Sequence, residues 1–269
     1  MTGFSADWLA LRAPHDARAR NSAVLNAVVA SLAGNTSIRI VDLACGTGST
    51  MRALAPRFPA GQHWRLVDND LSLLTRASAM ARPAGVSFTT VPVDLNRDLE
   101  AALDGPVDLI TTSALLDLVS EAWLDRLAVE TLVRSIPVYA ALSYDGRIEI
   151  SPSYPLDATI IATVNAHQRG DKGFGPALGP TAAVSAIARF ESLGCTVIHG
   201  NADWVIGPQD RKFQMEILSG WASAARELGE LSLGDTVGWL TWRRDAVAAG
   251  RSSIRVGHVD IFARPTGTR

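Results

Sequence analysis

Residues 38–50 read I-R-I-V-D-L-A-C-G-T-G-S-T. The run from Ile38 to Leu43 is short and apolar, as a parallel strand buried on both faces should be. It passes without a spacer into a turn built on Gly46 and Gly48, and a helical stretch follows from Ser49. Glycines at such a turn let backbone approach a ligand closely, and the new helix points free N–H groups at the same place. Asp68 stands 20 positions after Gly48, closing a second apolar run over 64–67. A carboxylate at that strand end is spaced to accept both hydroxyls of a ribose. The two features together indicate a nucleoside-containing cofactor.

The type of cofactor follows from what surrounds the glycines. A dinucleotide fingerprint G-x-G-x-x-G needs a small residue three positions after Gly48, where Met51 stands. A P-loop needs G-K-[ST], and no lysine is near. The pattern D-x-A-C-G-T-G over 42–48 resembles the first motif of the class I S-adenosylmethionine-dependent methyltransferases, and the resemblance extends over about 38–120. It implies S-adenosyl-L-methionine as methyl donor and S-adenosyl-L-homocysteine as product. It also implies that Asp42, Ala44, Gly46 and Gly48 line the methionine end, with Cys45 in the same turn. By the same resemblance Asp68, next to Asn69, holds the ribose, and Asp94, next to Leu95, takes the adenine amino group. Ser113 and Leu115 would lie under the cofactor.

Strand and helix patterns alternate after this motif. Strands are expected over 64–68, 86–91, 107–112 and 138–144, and helices over 49–55, 71–81, near Leu99 and over 120–133. That alternation means βαβ units. The fold expected is α/β, a Rossmann-like doubly wound, mostly parallel seven-stranded sheet with helices on both faces and an antiparallel terminal strand. Ligands of such sheets bind outside the carboxyl ends of the strands. The whole chain, 1–269, reads as one domain, with an N-terminal helical lid over 1–33 and cap or insert elements over 151–250. In the lid, a short helix over 8–11 and a longer one from Pro14 are expected. Asp145-Gly146, between extended runs, signals a hairpin turn. Helices over 156–167, 180–193, 212–228 and 235–248, extended segments over 195–199 and 204–206, and a last strand over 255–263 complete the reading. Trp221, Trp239 and Trp242 on the late helical pair are large apolar groups for packing it onto the core.

Three residues are candidates for the chemistry. Asp117 follows the fourth strand and would face the acceptor, where a carboxylate can take a proton or stabilise a cation. His167 and Asp171 belong to the richest polar loop of the chain, which has four glycines and two prolines in the 14 residues 167–180. Long loops of this composition commonly bind something or form a lid. His199 and His258 read as core or surface histidines rather than bases.

Composition limits the partners. With 47% hydrophobic and 19% charged residues and a net charge of −2, the chain is globular and carries no electrostatic footprint for nucleic acid. Cys45 and Cys195 make neither a disulfide framework nor a metal-ligand spacing, so no metal is expected and a reducing, cytoplasmic setting is the default. No signal peptide and no membrane span are apparent. The expected function is transfer of a methyl group to an O or N atom of a small-molecule acceptor by a monomer or homodimer. The alternative is a degenerate S-adenosylmethionine-binding protein acting as sensor or scaffold.

Overall fold

The computed structural model describes residues 4–59, 61–80 and 84–266. In chain order the helices are α1 (Ala6–Ala19), α2 (Ser22–Ser31), α3 (Ser49–Leu54), α4 (Leu71–Ser78), α5 (Leu99–Ala102), α6 (Glu121–Arg134), α7 (Asp157–His167), α8 (Ala182–Ser192), α9 (Arg211–Leu228) and α10 (Leu233–Ala248). The strands are β1 (Ile38–Leu43), β2 (Gln62–Asp68), β3 (Val86–Pro92), β4 (Leu109–Ser113), β5 (Val138–Ser151), β6 (Cys195–Asn201), β7 (Trp204–Ile206) and β8 (Ser253–Pro265). Positions 1–3 of the expected lid and Ala81 of the expected fourth helix lie outside the described residues.

One mostly parallel sheet runs β3-β2-β1-β4-β5-β8-β6, with β7 also on β8. β1 to β5 are mutually parallel, and β8 is antiparallel to both β5 and β6. β6 and β7 lie along one edge of β8 as an interrupted strand, which gives seven positions across the sheet. The period of two within β1 explains the double winding. Ile38 and Ile40 point into a core shared with α2, α3 and α4, whereas Val41 and Leu43 point into one shared with α5, α6 and α8. Each fully buried Leu or Ile contributes about 1.5–3 kcal/mol relative to exposure, so a strand apolar on both faces is held from both sides.

A third core lies beyond the sheet edge. Ile160 and Val164 of α7, Phe213, Ile217 and Leu218 of α9, and Trp239 and Val247 of α10 pack on Tyr144, Ile254 and Val256 from β5 and β8. Its polar centre is Arg243 on α10, wholly buried. Arg243 pairs with Asp157 at the start of α7, donates to the carbonyl of Pro152 at 2.7 Å, and stacks 4.9 Å from the Trp242 ring. Trp239 Nε1 donates to the same Asp157 at 2.9 Å. Trp239 and Trp242 therefore do pack the inserted helices.

Two expectations are corrected. Asp145-Gly146 is not a hairpin turn: β5 continues through it and stays paired with β8, the register shifting between Tyr144 and Ile148. The extra residues form a bulge, with Gly146 at φ 87°. The first helix is not broken at Pro14 but runs from Ala6 to Ala19. Docking at both of its ends outweighs the hydrogen bond that proline removes: Trp8 stacks 5.5 Å from Phe213, and Asp16 accepts from Trp204 Nε1 at 3.0 Å. The real break is at Arg20–Asn21, where the Asn21 side chain caps α2 by accepting from Ala23 and Val24 N–H. The elements of 151–250 divide between two cores. α8 buries Ala182, Ala186 and Phe190 in the main core and β6 joins the sheet, leaving α7, α9 and α10 as the cap.

Replacing Arg243 by Met strands the part-buried Asp157 carboxylate without its cation. Urea denaturation should show a loss of about 3 kcal/mol, far more than Arg211→Met at the exposed start of α9.

Candidate active site

The carboxyl ends of β1, β2 and β4 meet at the glycine turn. Ala44, Gly46 and Gly48 have φ of 53°, 54° and 75°, so the chain leaves β1 through three left-handed residues. For alanine this conformation costs about 1–3 kcal/mol, and such strain gathers at functional sites. The turn is tied to its neighbours: Cys45 N–H donates to the Val67 carbonyl at 2.9 Å, and Gly46 N–H donates to Asp68 Oδ2 at 2.8 Å. A side chain at Gly46 would meet Leu9 of α1 at 2.9 Å, and one at Gly48 would collide with Met80. The left-handed conformation therefore favours glycine at both positions, while the Leu9 and Met80 side-chain ends pack close against them. Leu9 also shows that the N-terminal helix lies over the turn.

The predicted cofactor residues gather around this turn with different degrees of engagement. Asp42 is fully buried; Thr111 donates to its Oδ1 at 2.8 Å, and Oδ2 has no partner among the described residues. Burial pushes its pKa up to about 7, against the Thr111 hydrogen bond and the nearby Arg20 charge. Asp68 spends one acceptor site on Gly46 and one on Asp70 N–H, at 3.0 Å. A carboxylate offers about four such sites, so capacity for two ribose hydroxyls remains. Asn69 beside it is exposed. Asp94 is exposed after β3, accepts from Asn96 N–H at 3.0 Å, and leaves its second oxygen 3.7 Å from Arg97. Leu95 is buried and its carbonyl accepts from Trp123 Nε1 at 2.7 Å. Ser113 and Leu115 flank Ala114, which is itself left-handed at φ 52°. Cys45 is buried and burial raises its thiol pKa, so it is not a nucleophile.

A cavity of 730 Å³ adjoins the end of β4. Its walls come from α1 (Trp8, Arg12), the β4 exit (Ala114, Asp117), β5 (Leu142, Tyr144), β7 and β8 (Trp204, His258) and the cap (Trp221, Glu227). The volume is within the range of small-molecule sites, about 300–1,000 Å³. Asp117, expected from sequence to face the acceptor, is on this wall. It is buried, its Oδ1 has no partner among the described residues, and burial raises its pKa to about 6 against the Arg12 charge. His167 is at the rim, with Nε2 2.9 Å from Glu227 and its carbonyl accepting from Lys172 Nζ at 3.1 Å.

Asp171 is elsewhere. Its exposed carboxylate accepts from Gly173 and Gly175 N–H at 2.6 and 3.1 Å, which folds the polar loop on itself, and it does not line the cavity. The loop packs on the β4 exit, where Gly179 N–H donates to the Asp117 carbonyl at 3.0 Å. Sequence reasoning missed Tyr144, read His258 as a core or surface histidine, and had Arg12 only as one of several polar side chains of the N-terminal lid that could line the site. His258 Nδ1 lies 3.1 Å from the Val256 carbonyl, and burial lowers its pKa to about 3, so the ring is neutral with Nε2 left as an acceptor. No local signal separates it from an ordinary strand histidine; it reaches the cavity because β8 pairs with the distal half of β5.

Residues 40–134 match the family model described as a methyltransferase domain. Over those residues the chain is similar to methyltransferase domains, as the D-x-A-C-G-T-G pattern implies. The fold is that of several solved structures at low identity. A cyclopropane-fatty-acyl-phospholipid synthase-like protein from Lactobacillus casei is similar with a TM-score of 0.55 at 12% identity, over 97% of this chain and 95% of that one. The cyclopropane synthase MmaA2 from Mycobacterium tuberculosis is similar with a TM-score of 0.51 at 12% identity, again over 97% and 95%. The YcgJ protein from Bacillus subtilis has a TM-score of 0.50 at 14% identity, over 92% of this chain and 100% of that one. No curated protein matches the chain in sequence.

S-adenosyl-L-methionine, the cofactor that the resemblance of 42–48 implies, would supply an electrophilic sulfonium methyl. The residues present suit it: a left-handed glycine cradle, spare acceptor capacity on Asp68, and an unpartnered Asp42 Oδ2 for a donor group. Asp68→Ala should weaken S-adenosylhomocysteine binding by more than tenfold in isothermal titration, since it removes both the ribose acceptor and the bond that holds Gly46. A folded variant with unchanged affinity would remove Asp68 from the ribose.

Proposed function

We propose that the methyltransferase acts on an O or N atom of a small-molecule acceptor held in the cavity beside β4. The observation that carries this reading is the cavity itself. It has the volume of a small-molecule site, is walled by Trp8, Tyr144, Trp204 and Trp221, and includes Asp117, whose Oδ1 has no partner among the described residues. Cofactor and acceptor then meet at Ala114, between the glycine-turn edge and the cavity. Asp42, Ala44, Gly46 and Gly48 hold the methionine end, and Asp68 holds the ribose. Arg20, whose buried Nε has no acceptor among the described residues, suits the methionine carboxylate. Asp94 and Leu95 take the adenine, and Ser113 and Leu115 support the cofactor from below.

In this reading the protein's work is alignment, exclusion of water and removal of one proton. Alignment of two reactants is worth up to about 7–11 kcal/mol of barrier. α1 covers the site from above, and α9 closes it from the cap side. Asp117 takes the acceptor proton at Oδ1; a carboxylate with a pKa near 6 is ionised at neutral pH yet more basic than an exposed one. His167, paired with Glu227 and Lys172, positions the acceptor at the rim. Asp171 acts on the same loop by holding its shape. A small-molecule acceptor, a single domain and two buried free thiols fit a cytoplasmic enzyme. Among the described residues no helix is long and apolar enough to cross a membrane. The unpartnered Asp117 favours an active enzyme over a degenerate cofactor-binding scaffold, which would have no use for it.

The reading is tested by titration with S-adenosylmethionine, S-adenosylhomocysteine and NADH, followed by methyl transfer to an acceptor library. Micromolar binding of the two sulfur nucleosides and none of NADH is expected. Asp117→Asn should lower kcat by about 10²–10⁴ and leave S-adenosylhomocysteine affinity within twofold. Because the ionised carboxylate is the working form, wild-type turnover should fall as pH drops through about 6. A flat profile between pH 5 and 7 would take the proton transfer away from Asp117.

A further inference from the structure

Arg12 is 8% exposed and on the cavity wall. Its Nε donates to Asp16 Oδ2 at 2.9 Å, and its guanidinium carbon is 5.0 Å from the centre of the Trp204 ring. Those contacts fix the side chain but leave its two Nη groups with no protein acceptor among the described residues. Neither Nη is among the buried atoms that lack a partner, so both are open to the cavity, where an acceptor on a ligand can take their hydrogens. Asp117, 7% exposed, presents the complementary defect, an acceptor oxygen without a donor. The Arg12 charge is felt at both Asp117 and His258, which puts the three groups in one corner of the cavity.

We propose that Arg12 and Asp117 together recognise an acidic hydroxyl, a phenol or enol, on a flat acceptor, and that the methylated atom is oxygen. The proposal rests on the methyltransferase reading and narrows it. A hydroxyl donates its hydrogen to Asp117 Oδ1 and still has two lone pairs, one to accept from an Arg12 Nη–H and one to attack. An amine nitrogen has a single lone pair, which cannot serve both purposes, and an ammonium is repelled by the guanidinium. On ionisation the O–H bond breaks, the proton goes to Asp117 Oδ1, the electron pair stays on oxygen, and Arg12 offsets the new negative charge. Trp8, Tyr144, Trp204 and Trp221 offer faces for a planar body.

The test uses the full chain saturated with S-adenosylhomocysteine and two probes of one shape, 7-hydroxycoumarin and 7-aminocoumarin. The hydroxy probe should bind at least tenfold more tightly, and its bound spectrum should show the phenolate band at a pH where the free probe is protonated. Arg12→Met should remove that preference and the band, while Arg12→Lys keeps part of both. S-adenosylhomocysteine affinity should stay within twofold in both variants, which also reports that they fold. Equal binding of the two probes, binding of neither, or a preference that survives Arg12→Met would overturn the proposal. So would a large loss of S-adenosylhomocysteine affinity in Arg12→Met, which would assign the guanidinium to the cofactor. Failure of the wild type to bind S-adenosylhomocysteine at all is a different outcome, because it removes the methyltransferase reading whatever the coumarins do.

Discussion

The antiparallel ladder between β5 and β8 is the contact on which the acceptor side of the molecule depends. Five parallel strands with helices on both faces make a cofactor edge but no walls around it. β5 and β8 both run past the rest of the sheet and stay paired as far as Ser151 and Ser253. Their extension supplies Leu142, Tyr144, Val256 and His258 to the cavity and a platform for α7, α9 and α10. Two bulges make this possible, one at Leu142 in a left-handed conformation and one at Asp145–Arg147. The first bulge is held by Asp260, which accepts from Leu142 N–H and from the Tyr139 hydroxyl, both at 2.8 Å, and from Asn21 N–H at 2.9 Å. One buried carboxylate thus joins the bulge in β5, strand β8 and the entry to α2.

A second junction ties the lid to the cap. Asp16 accepts from Arg12 and from Trp204, while Trp8 and His15 stack on Phe213 at 5.5 and 4.0 Å. α1 is in this way docked against α9 and β7 while its Leu9 covers Gly46. Cofactor cradle and acceptor cavity share one roof, so displacement of α1 opens both. The arrangement suits a reaction in which water must be kept from the transferring group. It also explains why the helix continues through Pro14, since a break there would separate Leu9 and Arg12 from Asp16.

The strand-end residues show how much of the site was legible in the chain. The placement of Asp42, Gly46, Gly48 and Asp68 was readable because it is local: a strand, a left-handed turn and a second strand end at a set spacing. Asp117 was readable for the same reason, being a few residues past a strand whose place in the sheet follows from alternation. Tyr144 and His258 were not, and Arg12 was one of several lid residues, because each is ordinary in its own segment and reaches the cavity only where separate elements converge. Asp171 lies off the cavity: a loop rich in glycine needs an internal acceptor for its own N–H groups, and the carboxylate is used there.

The chain by itself therefore determined the cofactor half of this protein. Periodicity of two, glycine at obligatory left-handed positions and a carboxylate 20 residues on are constraints between near neighbours, and near neighbours are fixed by sequence. The tertiary structure decided the acceptor half. Whether Asp145-Gly146 reverses the chain or merely bulges it depends on the competing strand, β8, which lies more than 100 residues away. Once that pairing wins, the cap has its platform, and an arginine, an aspartate and a neutral histidine come to face a single cavity.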